Sequence, residues 1–293
     1  MSENNERPRK TWTMLKRAYK GIALNSLPIG TLVKDVNSTF LDAPVVWKVA
    51  DMNHEGYPKN SITLITERIV AVRPFDAAEP NSPSPIKYWG NSIYSLSNIR
   101  QWLNSDAEAG KWYTAQHSTD QAPTSKYVGN EDLNEYADDE GFLHYFSNEF
   151  KSALLNTTII AINKNVAENV IDKIFLPSEE EVGFTSTQNN NIAEGTKLAL
   201  FNSDASRKAY FTAEAIADSE YDMSKQVNKP YYWRLRTPYN EGNTCEVTTE
   251  GKLSSRMSAG SSIGVRPLCN LPSTVRVSEI PDENGVYTIV QFK

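Results

Sequence analysis

Tyr231-Tyr232-Trp233-Arg234-Leu235-Arg236-Thr237-Pro238 and, further on, Gly264-Val265-Arg266-Pro267-Leu268 are the two strings on which the reading of the fold turns. Aromatic and aliphatic residues alternate with arginines, which is a strand signature. The alternation puts Tyr232, Arg234 and Arg236 on one face and Tyr231, Trp233 and Leu235 on the other. A guanidinium satisfies several carbonyls at once, so Arg236 and Arg266 are expected to brace strands from inside. Between the strings lies the polar segment Tyr239–Ser262, with the Asn, Ser, Thr, Gly and Arg content of an adaptable recognition loop. Asn240, Asn243, Arg256 and Ser258 in that segment, with Trp233 beside it, are the candidate ligand- or partner-binding residues.

Working outward, short β-rich runs recur at Thr31–Val36, Val45–Ala50, Ile62–Thr66, Thr157–Asn163 and Ile171–Leu176. Two helices are expected. Ile99, Trp102 and Leu103 share one face of the first, over 97–104. Phe142, Phe146, Phe150 and Leu154 recur every four residues through the second, Gly141–Leu155, with Asp138 or Asp139 as its cap. Ser178 and Glu181 have the spacing of a capping box. Residues 76–92, rich in Pro, Ser and Asn, read as an irregular loop. The predicted class is α+β: short antiparallel strands, two main helices and long loops.

Residues 1–20 carry six cations against two anions, a net +4 that leaves −10 on the rest of a chain of net charge −6. Trp12, Leu15, Tyr19 and Ile22 recur at helical spacing over 10–22, with Lys16 and Arg17 beside them. Residues 1–26 therefore read as a basic arm, an assembly segment that docks on a partner or on its own domain, and 27–293 as a single domain. The acidic balance argues against general nucleic-acid binding. No apolar stretch suits a secretion signal or membrane insertion. Cys245 and Cys269 are expected as free thiols.

Candidate chemistry is sparse. His54, His117 and His144 are scattered, and neither His-Glu-x-x-His nor Cys-x-x-Cys occurs. No phosphate-cradling glycine loop and no nucleophile elbow is present. Asp138-Asp139-Glu140 and Glu179-Glu180-Glu181 have oxygen ligands for calcium but not the spacing of a calcium loop. No metal, cofactor or catalytic set is predicted, and the expectation is a non-enzymatic protein.

The strings Leu27–Gly30, Trp47–His54, Thr63–Thr66, Asn98–Asn104, Tyr232–Thr237 and Gly264–Pro267, in that order, resemble a family of phage and prophage proteins of Gram-positive hosts. The closing half is also similar to the C-type-lectin-like fold of formylglycine-generating enzymes and of diversified phage receptor-binding proteins. The resemblance implies a C-type-lectin-like virion surface protein, for receptor binding on a tail fibre or baseplate or for head decoration. It would be made in the host cytoplasm and released by lysis. Its implied partners are other virion proteins and a host cell-surface glycan or protein, in a homo-oligomer. The alternative is a purely structural capsid or tail component. A formylglycine-type oxidase or wall-active enzyme is the remaining class. Cys245 and Cys269 do not stand in the oxidase motif, so that catalysis does not carry over.

Overall fold

The computed structural model describes residues 21–129, 134–185, 192–219, 221 and 223–292. The large sheet has eight strands, in spatial order Ile22–Ala23, Arg276–Val277, Val286–Gln291, Leu32–Phe40, Ala43–Met52, Ser61–Thr66, Leu268–Pro272 and Ile174–Phe175. Its pairings are antiparallel except Val286–Gln291 against Leu32–Phe40. Alternation sets the core face. Val33 lies opposite Trp47, and Val49, Leu64 and Cys269 form one cross-strand row, all fully buried.

The smaller sheet has five strands, ordered Leu253–Met257, Asn243–Val247, Trp233–Asn240, Gly264–Val265 and Ala71–Val72. The second quoted string is the crossing between the two sheets. Val265 pairs with Ala71 in the small sheet, and three residues later Leu268 pairs with Ile65 in the large one. Arg266, buried at that crossing, donates to Thr66 O at 2.9 Å and to Glu67 O at 3.3 Å. Gly264 must be glycine, because a Cβ there would sit 2.7 Å from Ile69 Cγ2 and 2.8 Å from Tyr232 O.

The expected class is corrected. The chain is mostly β, with 33% strand and 15% helix, two mixed sheets and, among the described residues, no helix of 7 or more residues. It is not an α+β fold with two main helices, and the C-type-lectin-like expectation falls with that. The first predicted helix exists, Asn98–Leu103, capped by the Ser97 hydroxyl accepting from Arg100 N. The second shrinks to Asn148–Ala153. A longer helix would bond Ser147 N to Leu143 O, but that N–H donates to Ser38 Oγ at 3.1 Å, and Ser147 Oγ donates to Asp35. Ser147 is thus the cap, not Asp138 or Asp139. The four-residue spacing still does its packing. Phe142, Phe146, Phe150 and Leu154 are all buried, and Phe150 stacks on Trp47 at 5.9 Å. The Ser178–Glu181 reciprocal bonds form as well, at 3.0 and 3.1 Å, but they close a turn.

The assembly arm, Trp12, Leu15, Lys16, Arg17 and Tyr19, lies outside the described residues. Ile22, read as the end of its helical repeat, is instead strand, opposite Val277.

Candidate recognition surface

Trp233 is not at a surface. It is fully buried, its indole N–H donates to Arg207 O at 2.9 Å, and its ring lies 6.3 Å from Phe201 and 5.3 Å from the Arg266 guanidinium. Ser258 is interior too. Its carbonyl accepts from Phe75 N, and its own N–H donates to Gly242 O. The expectation put Ser258 on an exposed loop and Trp233 on a strand beside it. The segment Tyr239–Ser262 is instead two paired strands, Asn243–Val247 and Leu253–Met257, followed by a stretch tucked under them. A strand between two others and covered on both faces leaves its aromatic no route to solvent.

The remaining three predicted residues are accessible. Asn240 and Asn243 sit at the hairpin tip, where Asn240 Oδ1 accepts from Gly242 N at 3.1 Å and Asn243 Nδ2 at 3.0 Å. Arg256, on the outer strand, lies 3.7 Å from Glu246 Oε1 and 5.7 Å over the Tyr232 ring.

The tip meets a segment that the sequence reading dismissed as loop. Ile86–Trp89 is a single helical turn, and Tyr88 and Trp89 are 63% and 43% exposed. Trp89 lies directly on the hairpin: a Cβ on Gly242 would come 3.2 Å from both its Cβ and Cε3. Trp89 O accepts from Ala259 N at 2.7 Å, and Ser92 Oγ donates to Asn240 O at 2.5 Å, so turn and tip are locked together. Tyr239, 42% exposed, flanks Asn240. The result is a rigid patch of exposed rings beside amide donors and acceptors. The adjacent pair Tyr88-Trp89 inside a polar stretch was the available signal.

Beneath lies a buried charge cluster. Arg236 donates to Glu181 at 2.7 and 2.8 Å and to the carbonyls of Ile160, Leu176 and Glu194. Burial alone would lower its pKa, and the Glu181 carboxylate more than offsets that. Arg234 braces the carbonyls of Arg73, Ser258 and Gly260, and burial pulls it down to about 10. The bracing role expected of Arg236 and Arg266 is therefore what the geometry has. Cys245 and Cys269 are free and buried, and burial pushes both thiols up. Of the acidic clusters, Asp139 pairs with Arg73 at 2.5 Å. Among the described residues no group of three ligating side chains is placed to hold a metal.

On the outer face of the large sheet a cleft of about 710 Å³ is floored by Leu32, Lys34, Val46 and Val286 and walled by Phe211 and Ile216. Three of its charged lining residues are in ion pairs, Lys34 with Asp282 at 2.6 Å and Arg68 with Glu67 at 3.1 Å.

The family model described as Domain of unknown function (DUF6273) matches residues 60–273, and the chain belongs to that family. The match spans both sheets' crossing strands, the Trp89 turn and the hairpin tip. No curated protein and no solved structure matches the chain.

Proposed function

We propose that this protein is a recognition module of a phage particle that engages its ligand, by binding alone at this surface, through Tyr88, Trp89, Tyr239, Asn240, Asn243 and Arg256. The observation that carries this reading is the Trp89 indole, held against Gly242 with 43% of the residue exposed. A ring fixed in place before binding loses little entropy on contact. The ligand class that suits it is a host cell-surface glycan. The C–H face of a sugar packs on the indole, and its hydroxyls exchange hydrogen bonds with the two amides. The virion setting, tail or head, rests on the resemblance of the ordered strings from Leu27 to Pro267. Particle symmetry would place the chain in a homo-oligomer.

The apolar cleft beside Val286 favours a second reading, a structural capsid or tail component that seats a neighbouring subunit there.

The test is sedimentation of the purified full chain with washed Gram-positive cell walls. Trp89→Ala is expected to weaken binding by about tenfold or more. Equal binding by Trp89→Ala and the parent would remove the surface assignment. Immunogold label on purified particles is the expected result for the virion setting, and its absence would overturn that setting.

A further inference from the structure

Asp51, His54 and Thr196 stand in one hydrogen-bonded line on the large sheet, whereas the Trp89 patch is built on the hairpin of the small one. His54 Nδ1 lies 2.8 Å from Asp51 Oδ2, and His54 Nε2 lies 3.3 Å from Thr196 Oγ1. Asp51 is in the strand Ala43–Met52, His54 follows three residues later, and Thr196 comes from a segment 142 residues further on. That segment is fixed alongside. Leu198 N donates to Glu181 O at 2.9 Å, Ala199 N to Asp51 Oδ2 at 3.1 Å, and Leu200 N to Ala50 O at 2.9 Å. Gly195 lets the chain pass close, since a Cβ there would be 3.0 Å from Glu181 Oε1 and its φ is +131°. The His54 ring is held edge-on by Tyr57, 4.7 Å between centroids.

The protonation pattern follows from the acceptors. Burial would raise the Asp51 carboxyl, but bonds from His54, Met52 N and Ala199 N outweigh it and hold the group below the usual range. An ionised Asp51 can only accept, so Nδ1 carries the imidazole proton and Nε2 presents its lone pair to the Thr196 hydroxyl. His54 is buried, whereas Thr196 is exposed. A base behind an accessible hydroxyl, with a carboxylate behind the base, is the arrangement that activates a nucleophile.

We propose that Asp51, His54 and Thr196 form a nucleophilic triad that cleaves carboxylic esters carried on an accessible chain. Thr196 Oγ attacks the ester carbonyl carbon while its proton passes to His54 Nε2. The bond from that carbon to the alcohol oxygen breaks, and the leaving alkoxide takes the proton from His54. Water then attacks the acyl–Thr196 ester and gives a proton to Nε2. The acid departs, and the proton returns to Thr196 Oγ. Asp51 is a positioning residue: it fixes the tautomer and stabilises the imidazolium. This activity is independent of the Trp89 reading, and neither fails with the other.

The experiment follows p-nitrophenolate release from p-nitrophenyl acetate by the full chain, with Thr196→Ala, Thr196→Ser and Asp51→Asn. Acid-quenched samples are digested to locate acetyl groups by mass spectrometry. Thr196→Ala is expected to lower kcat/KM by about 100-fold or more, with Thr196→Ser within about tenfold of the parent. Asp51→Asn is expected to lower kcat with little change in KM. Acetyl should accumulate on the peptide containing Thr196. The proposal is overturned if the parent is no faster than Thr196→Ala, or if acetyl is found only on lysines.

Discussion

Glu194→Gln isolates one buried carboxyl. Glu194 is buried, and neither carboxyl oxygen has a hydrogen-bond donor in reach among the described residues. The Thr237 hydroxyl is close but out of bonding geometry, and Arg236 Nε is 3.7 Å away with its guanidinium committed to Glu181. Burial first, then the like charges of Glu180 and Glu181, push the group from 4.5 up to about 8, against the pull of Arg236 and Thr237. The folded protein therefore keeps this proton up to about pH 8, while the unfolded chain releases it near 4.5. Between those values the native state binds more protons than the unfolded state, so stability falls as pH rises. At about 1.4 kcal/mol per pH unit the full window is worth roughly 5 kcal/mol, an upper bound that local relaxation reduces to about 2–3 kcal/mol. Glutamine has the same shape and does not titrate. Urea unfolding followed by tryptophan fluorescence at pH 5 and pH 8.5 should find parent and variant within about 1 kcal/mol at the lower pH, and the variant more stable by about 2–3 kcal/mol at the higher. Two parallel stability curves would refute the reasoning.

Arg236→Met leaves the Glu181 carboxylate buried without its cation and strips a donor from three carbonyls. It should cost about 3–5 kcal/mol in urea unfolding, and adding Glu181→Gln should recover more than about 1 kcal/mol of that. A loss under about 1 kcal/mol would show that the pair does not hold the fold. Trp233→Ala should act on stability and not on the ligand surface, lowering unfolding free energy by about 3–5 kcal/mol. An unchanged thermal midpoint with weakened cell-wall binding would contradict its burial.

The residues read directly from spacing were those whose partners are set by local geometry. Ile99, Trp102 and Leu103 are buried on one side of Asn98–Leu103 because residues three and four apart share a helix face. Phe142, Phe146 and Phe150 face the core because any right-handed turning of the chain brings every fourth residue to one side. Arg236 and Arg266 are interior braces because a guanidinium among apolar strand residues has to find carbonyls.

What the tertiary structure decided depends on segments far apart in the chain. The helix at Gly141–Leu155 stops short because Asp35 and Ser38, more than 100 residues earlier, bind Ser147. Trp233 is buried because Phe201, Arg207 and Arg266 close over a face that alternation alone leaves open. Trp89 gains its place because Gly242 offers bare backbone to lie on. Thr196 meets His54 only because the 192–200 segment is bonded along the strand that carries Asp51. Periodicity says which way a side chain points relative to its own strand or turn. It does not say what arrives on the other side, and here that arrival determines both the surface and the site.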